Sequence, residues 1–104
     1  MAKLSIIIPV YNEERTISKV IENVKGKKIG NIQKEIIIVD DCSTDSTKNI
    51  LKKIKDSSIK IFYHKNNMGK GAAIRTGLKN STGDIIIIQD ADLEYNPEEY
   101  GRLL

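Results

Sequence analysis

Hydrophobic and polar positions recur along this chain with two different periods, and the switches between them mark its elements. Residues 3–8 carry Leu4 and then consecutive Ile6, Ile7 and Ile8, which predicts a strand. Over 14–24, Ile17, Val20, Ile21 and Val24 recur at i, i+3, i+4 and i+7, one face of a helix. Residues 25–33 hold two glycines, three lysines and an asparagine and read as a loop. A second strand is predicted over 35–39. The polar cluster 40–46 then leads into a helix running to about residue 55, with Ile50, Leu51 and Ile54 as its apolar face. Its first turn is rich in Ser, Thr and Asp, the residues that cap free backbone N–H groups. A third strand covers 59–63, where Ile59, Ile61 and Tyr63 alternate with Lys60 and Phe62. A polar turn over 64–70 precedes a helix over 71–79, and Thr82 and Gly83 form a turn. The fourth strand, 84–89, contains four isoleucines. Beyond the polar loop 90–96, Asn96 followed by Pro97 resembles an N-cap with proline at the first helical position, and a last helix is predicted over 98–104.

Strands alternating with helices of this length indicate βαβ units, a parallel sheet and right-handed crossovers. Strands one, two and four are continuous Ile/Val runs, the pattern of strands covered on both faces. Strand three alternates and carries Lys60, which places it at an edge. The simplest arrangement is an α/β, Rossmann-like three-layer sandwich with a mainly parallel sheet in the order 3-2-1-4.

Composition narrows the class further. A chain of 104 residues suits one domain, and 39% hydrophobic with 30% charged residues is an ordinary globular composition. No apolar run approaches the roughly 18 residues that span a bilayer. The first strand begins almost at the N-terminus, so no signal peptide is expected. Cys42 is the one cysteine, which excludes an internal disulfide and fits a reducing, cytoplasmic compartment. The net charge of +3 is spread as lysines between acidic residues, without the dense basic patch of a nucleic-acid binder, so no nucleic-acid partner is expected. Weak attraction to an anionic substrate or a peripheral place at the cytoplasmic membrane face is compatible with it.

Candidate chemistry gathers where strands end. In an open α/β sheet, ligands bind beyond the carboxyl ends of the strands, at the point where the strand order reverses, here around strands one and four. Pro9, Val10, Tyr11, Asn12 and Glu13 follow strand one; Asp40, Asp41, Cys42, Ser43, Thr44 and Asp45 follow strand two; Asp90, Ala91, Asp92, Leu93 and Glu94 follow strand four. Carboxylates crowded at one end of a sheet are costly to leave unpaired, and a divalent cation relieves the repulsion. Asp90 and Asp92, two apart in an extended segment, point the same way and offer hard oxygen ligands suited to Mg2+ or Mn2+. The plainer reading is a pair of aspartates capping the next turn.

Other residues carry two readings each. Asp45, Ser43 or Thr44 caps the second helix, which would leave Asp40 or Asp41 free for a ribose hydroxyl or a base. Tyr11 either stacks on a base face or is a half-buried loop aromatic. Asn67, Gly69, Lys70 and Gly71 either bring backbone N–H groups to a phosphate or simply start the third helix. Neither a Walker A loop nor a Gly-x-Gly-x-x-Gly is present. Arg75 pairs with a carboxylate or phosphate, or sits on the surface. His64, beside an edge strand, reads as structural, and Cys42 as a small loop residue.

Together the segments 5–13 (SIIIPVYNE), 38–45 (IVDDCSTD), 67–77 (NMGKGAAIRTG) and 83–92 (GDIIIIQDAD) resemble family 2 glycosyltransferases with the GT-A fold, in the family's order and over nearly the whole chain. The third segment and 92–99 (DLEYNPEE) look most like the dolichyl- or polyprenyl-phosphate mannosyl- and glucosyltransferase branch. The resemblance implies that Pro9, Tyr11, Glu13 and Asp41 hold the nucleoside of a GDP- or UDP-sugar, of the GDP-mannose or UDP-glucose class. Asn12, Asp40, Lys70 and Ala91 join that nucleotide-binding set, and Asp90 and Asp92 reach the diphosphate through the metal. Glu94 stands where that branch often has a glutamine that helps coordinate the metal. Cys42 stands where the family usually has glycine, so a positive φ there would add strain.

The reaction implied is inverting transfer of a sugar to an acceptor. A lipid phosphate acceptor, such as a polyprenyl phosphate, is already anionic and needs no general base; a hydroxyl acceptor needs a carboxylate base. In the family that base comes from an acceptor-binding half after the Asp-x-Asp strand. The chain is therefore expected to be the N-terminal half of a GT-A fold, a nucleotide-sugar-binding domain over 1–104 cut before its acceptor-binding half, which binds donor better than it turns over. The alternatives are a catalytically inactive nucleotide-binding module or split subunit and, third, a metal-dependent nucleotidyltransferase. Strand 84–89, as the last strand present, is also expected to offer its outer edge for self-association.

Overall fold

The computed structural model describes residues 2–27, 30 and 32–91. The helix expected over 98–104 lies outside them, as do Asp92 and Glu94. The elements are β1 (Lys3–Val10), α1 (Ile17–Gly26), β2 (Gln33–Asp40), α2 (Thr47–Lys52), β3 (Ile59–Tyr63), α3 (Lys70–Lys79) and β4 (Ile85–Ile88). All strand pairings are parallel, and the order is β3-β2-β1-β4, as the periodicity predicts. In register, Ile6 of β1 lies between Ile36 of β2 and Ile87 of β4, and Ile38 of β2 lies beside Ile61 of β3.

Two apolar layers follow from the strand period of two. On one face Leu4, Ile6, Ile8 and Val10 join Ile36, Ile38 and Ile87 against Ile17, Val20, Ile21 and Val24 of α1 and Leu51 of α2. On the other, Ile7, Ile37 and Val39 meet Ala73 of α3, with Phe62 packed alongside. The α3 face is built on small residues. A Cβ on Gly77 would stand 2.5 Å from Ile7 Cγ2, so the absent side chain sets how closely α3 approaches β1.

Polar groups close the ends of the elements. The Lys34 ammonium donates to Val24 O at 2.7 Å, Lys25 O at 3.1 Å and Lys27 O, which satisfies carbonyls that the end of α1 leaves open. Burial pulls its pKa below the ordinary lysine value. At the amino ends of the strands, Glu35 is 4% exposed yet fully engaged. Ser5 Oγ and Thr82 N each donate to Oε2 at 2.6 Å, Thr82 Oγ1 donates at 3.0 Å, and Lys60 Nζ reaches Oε1 at 3.1 Å. Nothing in the sequence pattern singles out this carboxylate, because its partners come from β1, β3 and the turn before β4.

Three expectations are corrected. The first helix starts at Ile17 rather than residue 14, after a turn in which Ile17 N donates to Glu13 O at 2.9 Å. The second ends at Lys52 rather than about residue 55. Strand four is not covered on both faces: Ile87 is buried, but Ile86 and Ile88 are 41% and 43% exposed. The reason is lateral, since α3 lies over β1 and β2, one strand away.

Candidate functional site

The loops after β1 and β2 are stitched into one unit. Asn12 takes φ 51, a left-handed conformation that asparagine tolerates, and its Oδ1 accepts from Thr44 N at 2.8 Å and Asp45 N at 3.3 Å. Asn12 N donates to Ser43 Oγ at 2.9 Å, and Glu13 N to Thr47 Oγ1 at 2.9 Å. Asp45 Oδ1 accepts from Thr47 N at 2.9 Å, serving the first N–H of α2 from the residue before the N-cap, Ser46, which makes no side-chain capping bond. Cys42 takes φ 64, the left-handed value at which the sequence reading expects strain for a residue other than glycine.

Beyond the carboxyl ends of β1, β2 and β4 lies a cavity of about 440 Å3. It is lined by Pro9, Val10, Tyr11 and Glu13 after or within β1, Asp41 after β2, Lys70 and Ala73 of α3, and Asp90 and Ala91 after β4. Seven of the sequence candidates thus come together at one cavity: Pro9, Tyr11, Glu13, Asp41, Lys70, Asp90 and Ala91. Tyr11 is 45% exposed, with its ring accessible to a ligand. Val10 and Ala73 were not singled out. Ala73 was findable, because it lies three residues after Lys70 on the same side of a helix.

Of the nucleotide-binding set that the resemblance implies, Asp40 and Asn12 are not among the lining residues. Asp40 is fully buried and spends its carboxylate on the loop, accepting from Ser43 Oγ at 2.5 Å and Ser43 N at 3.1 Å. Asn12 is the loop clamp described above. The expectation that capping leaves Asp40 or Asp41 free is corrected, because Asp41 is also engaged. Asp41 Oδ1 accepts from His64 Nδ1 at 2.8 Å and Met68 N at 2.9 Å, and Oδ2 accepts from Gly69 N at 2.8 Å. Burial by itself raises its pKa, but these hydrogen bonds outweigh it and hold the carboxyl below the usual aspartate value. The loop 67–69 thus serves a carboxylate of the protein through its N–H groups.

Asp90 is positioned from several sides. Gln89 is 1% exposed, and its Nε2 donates to Asp90 O at 3.0 Å; Thr16 Oγ1 donates to Ala91 O at 2.5 Å. The Asp90 side chain is 15% exposed and pairs through Oδ1 with Lys70 Nζ at 2.5 Å. Arg75 is exposed on α3. Among the described residues there is no group of three or more potential metal ligands. Asp90 supplies one hard carboxylate oxygen at the cavity wall, the donor type that Mg2+ and Mn2+ take.

Comparisons with known proteins place the chain among glycosyltransferases. The chain is 37% identical over 106 residues to the undecaprenyl-phosphate 4-deoxy-4-formamido-L-arabinose transferase of Proteus mirabilis, covering 98% of this chain and 32% of that relative. Its structure matches S. aureus TarS 1–349 in complex with UDP-GlcNAc with a TM-score of 0.78 and 30% identity, over 97% of this chain and 30% of that one. It also matches the mannosyltransferase PcManGT of Pyrobaculum calidifontis in complex with GDP-Man and Mn2+, with a TM-score of 0.74 and 28% identity, over 86% of this chain and 27% of the other. The chain therefore spans about a third of the length of such relatives. The pattern of glycosyl transferase family 2 matches residues 5–104, and with the parallel 3-2-1-4 sheet of the GT-A neighbours beneath it, the chain belongs to that family.

Proposed function

We propose that this chain is the donor-binding part of an inverting, metal-dependent glycosyltransferase that takes a sugar from a GDP- or UDP-sugar and passes it to a polyprenyl phosphate. The observation that carries this reading is the cavity itself. One opening at the carboxyl ends of β1, β2 and β4 combines an exposed ring, Tyr11, a loop-held carboxylate, Asp41, and a Lys70–Asp90 pair. An aromatic face and a hydrogen-bond acceptor suit a nucleoside, and a cation beside a hard oxygen suits a diphosphate. The complexes of TarS with UDP-GlcNAc and of PcManGT with GDP-Man and Mn2+ support a nucleotide sugar and a metal; the name of the Proteus relative supports a polyprenyl phosphate.

In this reading Tyr11 and Pro9 face the base, Asp41 accepts from it, Glu13 stands at the rim, and Lys70 reaches the phosphates. Asp90 with Asp92, and Glu94 where it coordinates, would hold Mg2+ or Mn2+. The ion supplies neutralisation of the charge gathering on the departing diphosphate. A lipid phosphate acceptor enters already ionised, so the donor-binding part needs no general base of its own. Such an acceptor also places the working protein at the cytoplasmic membrane face; among the described residues no helix is long and apolar enough to cross a membrane.

Calorimetry tests this directly. UDP and GDP are titrated into the chain with and without Mn2+, and into a variant carrying Asp90→Asn and Asp92→Asn. The variant is expected to keep its circular dichroism and to lose Mn2+-dependent binding. Unchanged Mn2+-dependent affinity would overturn the metal assignment, and no nucleotide binding by the parent chain would overturn the reading of the cavity.

A further inference from the structure

His64 is the one histidine of the chain, and it does not line the cavity. It follows β3 directly, and its N donates to Asp40 O at 2.8 Å, extending the parallel ladder by one residue. By the strand period, its side chain continues the face of Lys60 and Phe62, the face on which α3 packs. There the ring is held at both nitrogens. Nδ1 lies 2.8 Å from Asp41 Oδ1, and Nε2 lies 2.8 Å from Thr76 Oγ1 of α3. The side chains of His64 and Asp41 are only 10% and 5% exposed.

We propose that His64 is a positioning residue that holds the Asp41 carboxylate in the one orientation that presents an acceptor to a ligand N–H in the cavity, with Thr76 anchoring the far side of the ring. The inference rests on the nucleotide reading of the cavity. The hydrogen-bond inventory drives it. An ionised carboxylate offers about four acceptor positions. His64 Nδ1, Met68 N and Gly69 N occupy three of those on Asp41, and Asp41 is among the residues that line the cavity. The two amides come from the loop before α3 and fix where the carboxylate sits. The ring, anchored on β3 and α3, fixes its rotation. Nδ1 can donate only when it carries the proton; in the neutral ring Nε2 then accepts from the Thr76 hydroxyl. The carboxylate, which can only accept, selects the Nδ1–H tautomer, because with a bare Nδ1 two acceptors would face each other across 2.8 Å, and the Thr76 hydroxyl follows that choice as donor to Nε2.

Paired substitutions separate positioning from mere packing. In His64→Asn the amide nitrogen stands near the place of Nδ1 and retains the donor to Asp41. In His64→Gln it stands near Nε2 and retains only the Thr76 contact. Affinity for UDP and GDP is measured by calorimetry, with thermal melting recorded for each variant. His64→Gln is expected to weaken nucleotide binding about tenfold, the scale of one hydrogen bond to a charged group, and His64→Asn less than about threefold. Equal losses in both variants would overturn the inference. Because the chain has one histidine, long-range 1H–15N spectra read its tautomer unambiguously: Nδ1 is expected to carry the proton, and a bare Nδ1 would overturn the inference. Thr76→Val is expected to leave the Nδ1 proton in place, because Asp41 still accepts it, and to lower affinity less than His64→Gln does. Asp41→Ala separates the two levels of argument. If it abolishes binding while His64→Gln does not weaken it, positioning by His64 is wrong and the nucleotide site stands; if Asp41→Ala leaves binding intact, the reading of the site fails and this inference with it.

Discussion

Lys70, the first residue of α3, places its ammonium 2.5 Å from Oδ1 of Asp90, and both residues line the cavity. The lysine side chain is 60% exposed and the aspartate 15%, so the pair is open to water on the cation side and weak on its own. Its consequence is competitive. If the proposed function holds, a divalent ion on Asp90 would meet Lys70 as a rival, and a diphosphate would meet it as a partner. Lys70→Met is expected to tighten Mn2+ binding and to weaken metal-free UDP binding, each by roughly threefold to fivefold, the scale of an exposed ion pair. Electron paramagnetic resonance titration of free Mn2+ and calorimetry of UDP read the two arms. Movement of both in the same direction would show that the lysine acts on neither through charge.

Glu35, at the opposite end of the sheet, is expected to contribute to acid stability. Burial raises its pKa, but Ser5, Thr82 and Lys60 more than compensate and leave it at about 2 against an ordinary 4.5. A folded-state pKa below the unfolded one contributes stability that is complete above pH 4.5 and is lost as pH falls towards 2. A shift of that size corresponds to on the order of 3 kcal/mol. Glu35→Gln is expected to remove most of it at pH 7 and to flatten stability against pH between 4.5 and 2. Urea denaturation of both proteins across that range isolates this group from the other carboxylates. Parallel curves for the two proteins would refute the assignment.

Gly77 tests how α3 is seated. In a solvent-exposed helix, Gly→Ala stabilises by up to about 1 kcal/mol. Here the added Cβ would stand 2.5 Å from Cγ2 of Ile7, a branched and fully buried side chain with little room to turn. Overpacking of this kind costs about 1–3 kcal/mol and outweighs the propensity gain. Gly77→Ala is expected to lower the denaturation midpoint. A raised midpoint would mean that α3 can move off β1 freely.

The outer edge of β4 is the fourth test. Among the described residues β4 pairs on one side only, with β1, and Ile86 and Ile88 beside that edge are exposed. An unpaired strand edge with apolar flanks invites pairing with a second copy. Light scattering over a concentration series is expected to show association of this chain, and Ile86→Lys with Ile88→Lys is expected to reduce it. Mass that stays monomeric at high concentration would rule the edge contact out.

Local pattern was enough for the parallel sheet, its 3-2-1-4 order, the edge position of β3 and the gathering of polar loops at one end. Those features depend on periodicity: four isoleucines in a row or an i, i+3, i+4, i+7 stripe restrict what each segment can bury. The left-handed φ of Cys42 was legible only through the resemblance, which puts glycine at that position; cysteine by itself carries no such signal. What the sequence could not rank was which of several carboxylates would be spent on structure. Asp40 and Asp41 are neighbours of identical chemistry. Asp40 turns inward to Ser43, while Asp41 reaches the cavity held by His64, Met68 and Gly69. Glu35, with no motif around it, becomes the most connected acid at the other end of the sheet. The partner of Asp40 is local, but those of Asp41 and Glu35 lie more than 20 residues away and meet the carboxylate only in the folded sheet. Periodicity along a chain records which face is buried; the partner of a buried charge is decided by the packing of elements, and only the tertiary structure contains that.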